Sequence, residues 1–223
     1  MQIITKKKYE IRLVLWETRY VPIVSGRSVN IKVKVTFDPT GWVADEVNKE
    51  TDVHNGSKNG WGDFKWRFKF VIETPCDFPR IKFNIVDNGT FADTAIGEAV
   101  LNLKKTIIKA TKEDVIEVPK TYISVWHPNK PGEDRGILMF SMTILPKEDA
   151  DADPVGESWD EPNHSPFLKK PTAGRNLMDM LGLGGFDWNF NFSWNPFGKL
   201  FMFVVGLCIF LLILTIMMWG AIL

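Results

Sequence analysis

The sequence predicts an all-β fold, an antiparallel sandwich of about eight strands, followed by a polar tail and a terminal apolar segment. Two stretches carry the prediction. Asn30–Phe37 alternates strictly, with Ile31, Val33, Val35 and Phe37 on one side and Lys32, Lys34 and Thr36 on the other, as a strand with one buried face requires. Asp63–Phe70 repeats the pattern, pointing Phe64, Trp66, Phe68 and Phe70 inward and Lys65, Arg67 and Lys69 outward. Turn residues (Gly, Pro, Asn, Asp) separate these stretches from further short apolar runs.

Taken in order, Tyr9–Trp16 opens the body as the first strand and Asn30–Phe37 is the second. Asn55-Gly-Ser-Lys-Asn-Gly60, between Thr51–His54 and Asp63–Phe70, supplies the turn of an expected hairpin. Further strands are predicted at Arg80–Asp87, Glu98–Leu103, Thr121–Trp126 and Gly136–Leu145. Residues 1–146 thus form one domain, a comfortable size for a single core.

The composition changes at Pro146. Residues 1–145 hold 22 Lys/Arg against 18 Asp/Glu, whereas 146–223 hold 5 against 9. Lys147–Glu161 carries seven acids and one lysine, with Pro154 and Gly156, so residues 147–199 are expected to be a solvated linker, acidic and then aromatic. Leu177–Leu183 has the spacing of a short amphipathic turn. Beyond it, Phe186, Trp188, Phe190, Phe192 and Trp194 stand at every second position and would line one edge of an extended chain. Two roles fit that row equally: settling in a lipid headgroup layer and packing against protein.

Residues 200–223 contain no charged side chain. As a helix they would reach ~36 Å, enough for a hydrocarbon core of ~30 Å, with Trp219 and Trp194 suited to the two interfaces and Lys199 to the cytoplasmic side. The expectation is a single-pass tail anchor with the body in the cytosol, because Met1–Lys8 offers neither a signal peptide nor an Arg-rich presequence. Span length favours the endomembrane or vesicular system and leaves an organelle such as the mitochondrion open. Cys208 lies in the span, so Cys76 stands alone and no disulfide is expected.

No catalytic constellation emerges. His54, His127 and His164 are scattered, and Leu181-Gly-Leu-Gly-Gly185 lacks both the preceding strand and the lysine of a phosphate loop. The neutral charge balance argues against nucleic acid. An enzyme is not expected.

Thr51-Asp-Val-His54, Phe64-Lys-Trp-Arg-Phe68, Ile96–Ile108, Met142-Thr-Ile-Leu145, Asp160-Glu-Pro-Asn163 with Pro166, and the terminal apolar run together resemble the C-terminal end of the ferlins. Those are large tail-anchored proteins with many C2 domains, associated with calcium-regulated vesicle fusion and membrane repair. The resemblance implies an eight-stranded antiparallel C2-type β-sandwich; a chain of this length has room for one. It also implies where calcium would bind, through aspartates on loops at one end of the sandwich. Asn30 stands at the position of the first aspartate, Gly89 replaces a second, and Asp87 and Asp93 remain in a loop one residue short. Two carboxylates are too few for tight binding, so no cofactor is expected and calcium sensing is expected to be lost. If their strands were neighbours, Lys32, Lys34, Lys65, Arg67 and Lys69 would form one basic patch, for anionic lipid or for an acidic protein surface, this chain's own linker included.

Two functions follow as expectations. One is a tail-anchored C2 protein that tethers or organises membranes or takes part in vesicle fusion. The other is an accessory subunit of a larger membrane complex, with the sandwich and tail as packing surfaces.

Overall fold

A computed structural model describes residues 6–24, 26–89, 91–176 and 211. The chain divides into two compact units, Met1–Gly184 and Gly185–Leu223. The aromatic row 186–194 and, Leu211 apart, the expected span 200–223 lie outside the described residues. Among the described residues no helix is long and apolar enough to cross a membrane.

Nine described strands build the first unit: β1 (Lys7–Arg19), β2 (Val29–Asp38), β3 (Val47–Glu50), β4 (His54–Ser57), β5 (Gly62–Thr74), β6 (Arg80–Asp87), β7 (Thr94–Asn102), β8 (Ile116–Trp126) and β9 (Asp134–Pro146). Every pairing is antiparallel, in the order β3-β2-β6-β7-β8-β9-β1-β5, with β4 also on β2. The path folds into two layers because β7 and β8 share the single pair Glu98 and Trp126. The layers face each other through their alternating apolar residues. Phe37 of β2 meets Phe70 of β5 at 5.1 Å between ring centroids, and Phe83 of β6 meets Phe140 of β9 at 6.1 Å. Each such ring withdrawn from water stabilises the fold by roughly 1.5–3 kcal/mol.

The expected hairpin between Thr51–His54 and Asp63–Phe70 does not form. β4 begins at His54 and pairs with the start of β2, while β5 runs alongside β1 from Lys7/Thr74 to Thr18/Gly62. The longer partner wins because it closes a ladder along the whole of β5 and buries Phe64, Phe68 and Phe70. The alternation did not announce α1 (Lys104–Glu113), which follows β7 directly. Asn102 Oδ1 accepts from the Lys104 N–H at 2.9 Å, the Pro79 carbonyl accepts from the Leu103 N–H at 2.9 Å, and Ile107 and Ala110 turn into the core.

Residues 147–176 are not a free, solvated linker. They begin with α2 (Lys147–Ala152) and continue as a strap over the outer face of β1 and β5. Ala150, Val155, Asn163 and Leu168 are buried there. β1 is consequently buried on both faces: Tyr9, Ile11, Leu13 and Leu15 point into the sandwich, and Glu10, Arg12 and Val14 lie on the other side of the strand.

Candidate functional site

The strand alternation that puts Val33 and Val35 in the core turns Lys32 and Lys34 away from it. The same rule turns Lys65, Arg67 and Lys69 away from Phe64, Phe68 and Phe70. Because β2 and β5 face each other across the core, these two groups of cations leave from opposite surfaces of the sandwich. The single basic patch is therefore corrected to two separate sets, each with its own partners.

On β2, the Lys34 Nζ lies 2.8 Å from Asp93 and the Lys32 Nζ 3.1 Å from the same carboxylate oxygen, with Glu50 at 3.4 Å from Lys32. The hydrogen bonds from Lys34 and Lys32 hold the Asp93 carboxyl below the usual carboxylate range. Asp87 is buried, and its Oδ1 accepts from the Asn30 N–H at 2.9 Å. Asn30 in turn closes the neighbouring loop, its Oδ1 accepting from the Gly56 N–H at 2.9 Å and its backbone carbonyl from the Asn88 N–H at 2.7 Å. The two acids of the expected degenerate calcium site are thus engaged with the chain itself. Gly89 shows why the second aspartate of the family pattern has no room: a Cβ there would stand 2.4 Å from the Ala92 carbonyl oxygen. Among the described residues, no three His, Cys, Asp or Glu side chains gather as metal ligands.

On β5, Arg67 and Lys69 hold the strap. Arg67 is 0% exposed; its Nη1 donates to the Gly156 carbonyl at 3.2 Å and its Nη2 to those of His164 and Pro166 at 2.9 and 2.6 Å. Lys69 donates to the Val155 carbonyl at 2.7 Å. Arg12, on the adjacent β1, donates to the carbonyls of Ala150 and Asp153 and pairs with Glu10 at 2.9 Å. Burial, and then the nearby Arg12 charge, hold the Arg67 guanidinium pKa below its ordinary value; its partners are backbone carbonyls, and Arg67 makes no salt bridge among the described residues. Trp159 donates its indole N–H to the Phe64 carbonyl at 3.2 Å and packs edge-on against Trp66 at 4.6 Å. Lys65 pairs with Asp63 at 2.6 Å. Sequence reasoning missed Arg12 and the strap's anchor points. The available signal was Val155 and Trp159 inside the acidic segment, and Pro166 and Leu168 just beyond it.

The strap ends beside β4. Gly174 accepts from the Asn55 N–H at 2.9 Å, and Arg175 makes a two-pronged pair with Asp52, both contacts 2.8 Å, while approaching His54 Nδ1 at 3.0 Å. His54 is buried, with Trp61 edge-on at 5.4 Å, so its role is internal packing rather than a surface turn. At this end of the sandwich the loops between β1 and β2 and between β6 and β7 expose Tyr20, Ile23, Val24 and Phe91.

No family model matches the chain. Its structure is similar to a C2 domain of plant extended synaptotagmin 1, with a TM-score of 0.44 and 15% identity over 61% of this chain and 94% of that one. In sequence it is 40% identical over 196 residues to Ferlin 2 of Tetrahymena thermophila, covering 86% of this chain, and 31% identical over 179 residues to Ferlin 1 of Toxoplasma gondii, covering 79%. The chain spans 11% and 12% of the length of those two relatives. It belongs with the ferlins: it is homologous to them over most of its length, and its sandwich fits a ferlin-family C2 domain.

Proposed function

We propose that the chain is a membrane-tethered, non-enzymatic C2 domain that acts in membrane tethering or fusion, held by residues 200–223 as a tail anchor with the sandwich on the cytosolic side. The observation that carries this reading is an uncharged terminal run of 24 residues in a chain homologous to ferlins. The exposed Tyr20, Ile23, Val24 and Phe91 support it, since apolar loop tips at one end of a sandwich suit shallow contact with a bilayer.

The alternative of a complex subunit loses one of its reasons. An acidic linker of this composition calls for something to order it, and the arginines of β1 and β5 supply that contact within the chain.

Translation of the full chain in the presence of microsomes, with a glycosylation sequon appended after Leu223, tests the topology. The appended site becomes glycosylated, and the body's own Asn-x-Ser/Thr sequons, Asn55-Gly-Ser57 and Asn88-Gly-Thr90, do not. Glycosylation at Asn55 or Asn88, or extraction of the chain by alkali, would overturn the reading.

A further inference from the structure

The end of the sandwich opposite the strap's exit carries a second apolar and basic surface. The loop after β2 exposes Trp42 (75%) and Val43 (80%), and the loop before β6 exposes Phe78 (65%). They are one surface, because the Cβ position at Gly41 lies 3.8 Å from the Phe78 side chain. α1 adjoins them through the Leu103 N–H on the Pro79 carbonyl, and the Lys104 ammonium stands 5.8 Å from the Phe78 ring centroid. Ile107 and Ala110 fix which face of α1 is buried, leaving Lys104, Lys105, Ile108, Lys109 and Lys112 exposed. The helix holds four lysines against Glu113 alone. Lys109 pairs with that acid at 3.4 Å, and Lys104, Lys105 and Lys112 make no ion pair among the described residues.

The chemistry of this surface selects its partner. Protein interfaces exclude lysine from their buried centres, whereas a headgroup layer accepts it: aromatic rings settle at the interface, and lysine stems lie along the apolar boundary with the ammonium among phosphates. A basic amphipathic helix beside exposed Trp and Phe is the pattern of a membrane-surface element. We propose that α1 and the loops of Trp42, Val43 and Phe78 form a second bilayer-binding surface, which takes an anionic headgroup layer at the end of the sandwich remote from residue 176. β2 alone, with ten residues, sets the two ends about 30 Å apart, so one sandwich can contact a bilayer at each end. This deepens the tethering reading and rests on it only for which membrane lies at the other end.

The test uses the full chain with Cys76→Ser and Cys208→Ser, and a fluorophore attached at Trp42→Cys, at Phe78→Cys or, as a reference on β8, at Tyr122→Cys. Vesicles rich in phosphatidylserine and carrying a lipid-borne quencher are then added. Labels at 42 and 78 are quenched and the label at 122 is not. Lys104→Gln with Lys105→Gln, both exposed and remote from the core, lowers vesicle affinity about thirtyfold, at roughly 1 kcal/mol for each lysine near an anionic leaflet. Quenching at 42 and 78 no greater than at 122, or unaltered affinity in the double variant, overturns the proposal, and the first of these results leaves a protein as the partner. Because the quencher sits only in the added vesicles, the readout holds whether or not the chain is anchored. Failure of the anchor shows separately, as alkali extraction.

Discussion

Arg67 and Ser158 exchange backbone hydrogen bonds: the Ser158 N–H donates to the Arg67 carbonyl at 2.8 Å, and the Arg67 N–H to the Ser158 carbonyl at 3.4 Å. β5 ends the path of strands, so this single bridge occupies an edge that would otherwise offer unpaired backbone groups to another chain. The Arg67 side chain reinforces the bridge by gathering the carbonyls of Gly156, His164 and Pro166. One residue thus fixes the strap both through its backbone and through its guanidinium.

Arg67→Ala is expected to cost about 3 kcal/mol in urea-induced unfolding, because it leaves three strap carbonyls without their donor and a void beneath them. Arg67→Lys restores little, since one ammonium cannot reproduce a planar fork of donors. Trypsin should then cut the strap after Lys169, since the Lys170–Pro171 bond resists it, in the alanine variant sooner than in the parent. An unchanged digestion pattern would show that Arg67 does not hold the strap.

Asp93 predicts a loss of stability in acid. Lys34 and Lys32 hold its carboxyl below the usual range near 3.9, so its contribution is complete above the unfolded value and vanishes as pH falls through the lowered folded one. Asp38 shares this window. Burial would raise it, but the hydrogen bonds from Arg80 and the Gly41 N–H prevail and lower it. Asp93→Asn should therefore flatten part of the acid limb in denaturant titrations below about pH 4, leaving the Asp38 share. An identical acid limb in parent and variant would refute the assignment.

Five of the observed strands, β1, β2, β5, β6 and β9, were legible in the sequence because their apolar residues alternate or cluster between turn residues. β7 and β8 were placed too, but with their starts displaced: β7 begins at Thr94 rather than Glu98, and β8 at Ile116 rather than Thr121. The pairing partner of β5 was not legible, since alternation fixes which face is buried and says nothing of which neighbour supplies the ladder. That gap also produced the single basic patch. Arg67 reads as a solvent-facing residue by periodicity, and only a segment about 90 positions later in the chain, carried back by carbonyl hydrogen bonds, buries it. α1 was hidden because its lysines mask two buried positions, Ile107 and Ala110.

Calcium should leave the melting temperature of the full chain unchanged. Lys32 and Lys34 already neutralise Asp93, and Asp87 accepts a backbone N–H, so an entering cation would have to displace two ammonium groups for a set of two carboxylates. Gly89→Asp does not rebuild the site. Its Cβ would crowd the Ala92 carbonyl at 2.4 Å, and the variant should melt earlier with or without calcium. A calcium-dependent rise in melting temperature of the parent chain would contradict this account.

Gly174 tests the strap's far end separately from Arg67. Its φ of +72° is a left-handed conformation, and a Cβ there would meet the His54 ring at 2.7 Å. Gly174→Ala therefore faces backbone strain of about 1–3 kcal/mol together with a clash that the buried His54 has little room to relieve. The cheaper response is local: the turn lifts, the Asn55 N–H loses the Gly174 carbonyl, and Arg175 loses its hold on Asp52. Hydrogen exchange should accelerate at Asn55 while the amides of β1 and β9 keep their protection. Acceleration throughout the sandwich would mean instead that the strap's end is integral to the core.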